Sequence, residues 1–160
     1  MMTRIDARDR LIVALDVPSA AEADALVARM GDQVRFVKVG LELYTVAGPD
    51  IVRKLVDRGK RVFLDLKFLD IEETVRRATA RVAAMGATFL TVHANRKALI
   101  AAVQGRGSSD LKLLAVTVLT NFDGEDLREM GIQRSVQDLV TARAMLAAEV
   151  GCDGVVASGE

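Results

Sequence analysis

Six short apolar runs divide the chain, and none alternates strictly with polar residues. They cover residues 11–15, 36–40, 62–66, 88–92, 112–119 and 154–158. Runs of this length without alternation predict strands buried on both faces, as in a parallel sheet. Between them the spacing changes to threes and fours. Ser19 with Glu22 three residues on forms a capping box, opening a helix through Met30 that Gly31 ends. Gly48-Pro49-Asp50 opens a helix over 51–58, closed by Gly59. The third helix is predicted over 71–85, with Val75, Ala78, Val82 and Met85 on one face. Glu72 and Glu73 lie in its first turn, where the helix dipole favours anions, and Gly86 ends it. A helix over 96–104 should give way to the polar turn Gly105-Arg106-Gly107-Ser108-Ser109. A short segment over 124–130 should precede a helix capped by Ser135 and Asp138 that runs to Val150.

Strand and helix therefore alternate, with no proline-rich linker or compositional break, which predicts one α/β domain over residues 1–160 with a parallel sheet. A doubly wound sheet and a (β/α)8 barrel of TIM type are the two candidates. The first usually carries a glycine-rich turn after its first strand. Here that turn reads Asp16-Val17-Pro18-Ser19. Polar residues instead recur at the ends of successive strands: Asp16, Lys38, Asp65, Lys67, His93, Thr120 and Ser158. A barrel builds its active site in this way, so the barrel is the expected fold. Such barrels ordinarily take ~250 residues and at least ~200. Only about six βα strands are present, so the chain is expected to be the N-terminal three-quarters of a barrel.

Composition narrows the function. Lys plus Arg and Asp plus Glu are both 22, so no basic excess favours nucleic acid or anionic membranes. The single cysteine, Cys152, rules out an intrachain disulfide and a thiol-rich metal site, and reads as an inert thiol. The N-terminal ten residues are charged, without the apolar core of a signal peptide, and no run approaches a membrane-spanning length. A cytoplasmic protein is expected.

The one dense charge cluster is Asp65-x-Lys67-x-x-Asp70, where the third strand meets its helix. Residues two apart on a strand share a face, which sets Asp65 beside Lys67. Keeping an ammonium between carboxylates at a sheet mouth is costly unless the group does chemistry. His93, the only histidine, reads as a hydrogen-bonded structural residue.

With this cluster on the third strand, the chain resembles the orotidine 5′-monophosphate decarboxylase family of the ribulose-phosphate-binding barrels. Five motifs carry the resemblance in order: Val13-Ala14-Leu15-Asp16, Val37-Lys38-Val39-Gly40-Leu41-Glu42 with Ala47-Gly48-Pro49, Asp65 to Ile71 with Thr74, Thr91-Val92-His93-Ala94, and Val116 to Thr120. Two departures are Leu69, where many members have His or Tyr, and Glu72-Glu73, where many have Pro-Asn. The resemblance implies decarboxylation of orotidylate to uridylate in pyrimidine synthesis, without cofactor or metal. It further implies a homodimer with a shared active site. Lys67 would protonate C6, with Asp65 beside it, and Asp70 would be supplied to the partner subunit. Lys38 would reach the ribose and Asp65. Asp16 would bind the ribose hydroxyls, Ile71 and Thr74 would reach the nucleotide across the interface, and Thr120 would bond the pyrimidine edge.

A sister group of sugar-phosphate decarboxylases and synthases shares the signature but uses Mg²⁺, with a glutamate at the position of Lys38. The lysine therefore favours the orotidylate branch. In the family the substrate phosphate is held by a glutamine and an arginine after strands seven and eight, which these 160 residues do not include. Losing a remote phosphate grip lowers kcat as well as raising KM. The expectation is a chain with the catalytic part and little activity of its own. The alternatives are the Mg²⁺-dependent sister activity and an inactive barrel fragment.

Overall fold

A computed structural model describes residues 9–158; most of the charged N-terminal stretch discussed above lies outside them. Six strands form one sheet: β1 (Ile12–Ala14), β2 (Phe36–Gly40), β3 (Arg61–Phe68), β4 (Phe89–His93), β5 (Lys112–Val116) and β6 (Gly154–Val156). Their order in space is their order in sequence, and all five pairings are parallel. A doubly wound sheet would reverse its strand order at a switch point. Sequential order has no such point and is the order of a barrel wall.

The helices are α1 (Ala20–Met30), α2 (Leu41–Ala47), α3 (Asp50–Asp57), α4 (Glu72–Ala84), α5 (Arg96–Arg106), α6 (Gly124–Glu129) and α7 (Val136–Val150). Caps form where the sequence places them. Ser19 accepts the N–H of Glu22, and Ser135 that of Asp138. Helix α2 was not expected. Its seven residues are too few to show a helical period, although Leu43 is fully buried on it. Strand β5 stops at Val116 instead of reaching residue 119, and Thr117 beyond it donates both its N–H and its hydroxyl to the carbonyl of Val156, at 3.1 and 2.8 Å. Gly105, expected in a turn, lies inside α5. A Cβ there would sit 2.2 Å from the carbonyl oxygen of Arg76 on α4, so its bare backbone lets the two helices touch.

Alternation sorts the strands into two faces. Val37, Val39, Val62, Leu64, Leu90, Val92, Leu113 and Ala115 pack against the helices in one continuous core. The opposite face carries Phe36, Phe63 and Phe89 at its N-terminal end. The rings of Phe36 and Phe89 lie 5.1 Å apart, and those of Phe63 and Phe89 meet edge-on at 5.9 Å. Aromatic residues are scarce in this chain, yet three of its five phenylalanines build this floor. Above it, toward the C-terminal ends, the same face becomes polar.

Candidate active site

Strand β3 does not stay regular where the charged cluster begins. Leu64 pairs with Leu90 and Phe68 with Val92, so four residue steps on β3 span two on β4. The extra length is a β-bulge made of Asp65, Leu66 and Lys67. Within it Lys67 has φ 50°, the only positive φ outside glycine among the described residues. A lysine held there costs about 1–3 kcal/mol, and bulges and such strain concentrate at functional sites. The strand alternation that predicted neighbouring side chains thus gives the right pairing for an incomplete reason: the bulge aims Lys67.

The Lys67 ammonium lies 2.9 Å from Asp65 Oδ2. Both side chains are mostly sheltered, 30% and 17% exposed, so the pair is screened less than a surface salt bridge. Lys38 instead pairs with Asp16, Nζ to Oδ1 at 3.1 Å. Within one chain the charges thus form two separate pairs, Lys67 with Asp65 and Lys38 with Asp16. Gly40, opposite Asp65 in the register, borders the second pair. A Cβ on it would lie 3.5 Å from Lys38 Nζ and 3.6 Å from Asp16 Oδ1.

Asp70 does not join Lys67. Its Oδ1 accepts the N–H of Ile71 at 2.6 Å, ahead of the first turn of α4, and the residue is exposed. Ile71 is 73% exposed, and Thr74 is exposed one turn along α4. Lys67, Asp70 and Thr74 border a common recess of about 290 Å³. Thr120 is exposed in the turn after β5.

Two buried or half-buried groups escaped the sequence reading. Thr91, fully buried in β4, touches both Lys67 and Asp65. A hydroxyl in the middle of an otherwise apolar run was the available signal. Arg143 reaches inward from α7 to donate to the carbonyl of Thr117. It shares a cavity of about 360 Å³ with His93, Asn95 and Thr117. Burial lowers the pKa of His93, with smaller contributions from Arg143 and Lys67, which disfavours the imidazolium. Burial likewise lowers that of the Arg143 guanidinium. Among the described residues no three His, Cys, Asp or Glu side chains converge as a metal site would need.

A sheltered lysine on a bulged third strand, carboxylate beside it, is the arrangement to compare with known proteins. Residues 9–160 match the model of the Orotidine 5'-phosphate decarboxylase / HUMPS family. The chain belongs to this family. Among relatives, the orotidine 5'-phosphate decarboxylase of Nitrobacter winogradskyi is 57% identical over 152 residues, covering 95% of this chain and 63% of that protein. That of Rhodopseudomonas palustris strain BisA53 is 49% identical over 160 residues, all of this chain and 68% of the relative. The solved orotidine 5'-phosphate decarboxylase from Lactobacillus acidophilus superposes with a TM-score of 0.86 at 38% identity, covering 92% of this chain and 70% of that one. The six sequential strands are thus part of a TIM-barrel-type α/β fold, and the chain spans less than two thirds of the length of its Nitrobacter relative.

Proposed function

We propose that this chain carries the catalytic segment of an orotidine 5′-monophosphate decarboxylase, converting orotidylate to uridylate and CO2 without a cofactor. The Lys67–Asp65 pair on its strained bulge carries this reading, supported by relatives bearing that name. Breaking the bond from C6 to the carboxyl carbon leaves an electron pair on C6. A cation fixed beside that carbon before the reaction stabilises the pair and supplies the proton that replaces CO2. Lys67 takes that role. Asp65, 2.9 Å away, fixes the ammonium and stands where the departing carboxylate would meet a like charge.

The pair of Lys38 on β2 and Asp16 just past the end of β1 is suited to the ribose hydroxyls, since an ammonium offers donors and a carboxylate acceptors. Asp70, Ile71 and Thr74 are exposed together at the start of α4 and serve a second copy of the chain across a homodimer interface. Thr120 serves the pyrimidine edge. Lys38 stands where the Mg²⁺-using sister group would carry a glutamate, which favours the orotidylate reading over the sugar-phosphate one.

The test uses the protein as expressed from its gene. Wild-type protein should bleach the orotidylate absorbance and should do so equally in EDTA. Lys67→Ala should lose turnover by at least about a thousandfold, with its circular dichroism unchanged. Near-wild-type decarboxylation by that variant would remove Lys67 as donor. Sensitivity to EDTA would favour the metal-dependent sister activity.

A further inference from the structure

We propose that Thr91 is a positioning residue for the proton-donating lysine, its hydroxyl closing a ring of hydrogen bonds that ties both ends of Lys67 in place. This rests on the reading of Lys67 as the donor. The bulge creates the need. Three residues of β3 stand against the single residue of β4 between Leu90 and Val92, and that residue is Thr91. The ladder therefore offers the Lys67 N–H no regular backbone acceptor, and an unpaired buried N–H is costly. Thr91 Oγ1 accepts it at 2.9 Å. The same hydroxyl donates to Asp65 Oδ1 at 2.9 Å, and Asp65 Oδ2 accepts the Lys67 ammonium at 2.9 Å. Backbone N–H, threonine hydroxyl, carboxylate and ammonium thus form a closed cycle beginning and ending on one lysine.

The cycle has two consequences. It stabilises a φ of 50° that lysine does not favour, since relaxing the backbone would break the bond to Thr91. It also orients the carboxylate, because one oxygen is committed to Thr91 and the other to the ammonium. Thr91 is 0% exposed, so water cannot substitute for its hydroxyl without entering the packed wall. β-Branching suits it to the strand, while the hydroxyl faces the bulge.

Valine keeps the shape of Thr91 and removes the hydroxyl, and serine does the reverse. In Thr91→Val, amide exchange at Lys67 should accelerate at least about tenfold while β2 and β5 keep their protection. In the protein as expressed from its gene, the kcat for orotidylate should fall about a hundredfold with KM changed less than about threefold, because a misplaced donor harms the chemical step more than binding. Thr91→Ser should return both quantities to within about fivefold of wild type. If Thr91→Val fails to fold, Thr91→Cys, of similar size with a weak donor, reads the same two quantities. Unchanged exchange at Lys67, or lost protection with unchanged kcat, would overturn the proposal. Amide exchange needs no turnover, so if the wild-type protein proves inactive on orotidylate, the positioning of Lys67 is still decided.

Discussion

His93 shows how the fold changes what a single side chain does. In the sequence it stands at a strand end among polar candidates. In the structure it is half-buried beside a 360 Å³ cavity, with Arg143 and Lys67 contributing positive charge. Burial, then those cations, lower its pKa below the ordinary 6.5. Between the lowered value and 6.5 the unfolded chain binds more protons at this residue than the folded one. The contribution to stability is therefore complete above about 6.5 and is lost as pH falls through that window. Thermal unfolding followed from pH 7.5 to 5.5 should show a falling midpoint, and His93→Gln should flatten that slope. As the only histidine in the chain, it has no imidazole to mask the effect. A slope that survives the substitution would assign it to other groups. Lys67, by contrast, was legible at once, because an isolated D-x-K-x-x-D cluster in an apolar setting is conspicuous. Thr91 was not, because threonine is ordinary in strands and its importance depends on a bulge in a different strand.

At the scale of elements, the contact between α4 and α5 decides how the segment starting at Ile71 is presented. Gly105 is a point of close approach, with Thr79 Cβ 3.0 Å from its would-be side chain and Arg76 O nearer still. Glycine in a helix interior is normally about 1 kcal/mol worse than alanine, so Gly105→Ala would be stabilising on propensity alone. Here the clash is with backbone, which cannot rotate away. Gly105→Ala should instead destabilise by about 1–3 kcal/mol, read from chemical denaturation midpoints. A stabilised variant would show that the helices can separate at little cost. Local rules succeeded where a signal was complete in a few residues, as with the Ser19 and Ser135 caps. They failed at Gly105, where a residue suited to turns serves instead for close approach. They also missed the bulge, since a count of residues against a neighbouring strand exists only after pairing.

For the whole molecule, the sequential sheet leaves β1 and β6 as edges among the described residues. Both are three residues long, and they carry Ile12 and Val155 at 37% and 42% exposure. Asp153 helps hold the last strand: it accepts the Leu113 N–H at 2.9 Å and pairs with Arg106 at 2.5 Å. That link between β5 and β6 is invisible in sequence because it joins residues 40 and 47 positions apart.

The sequence by itself determined the alternation of strand and helix, the single α/β layer order and the barrel rather than a doubly wound sheet. Each of these follows from periodicity, helix caps and the recurrence of polar residues at strand ends. It also singled out Lys67, Asp65, Lys38 and Asp16, since a charge is costly in an apolar run and therefore stands out there. Only the tertiary structure decided which of these charges meet. Lys38 turns to Asp16, Lys67 to Asp65, and Asp70 to its own helix. Pairing depends on strand register, and register is altered by the extra residues that β3 carries against β4. The bulge, the left-handed lysine and the hydroxyl that holds it are one arrangement shared by two strands.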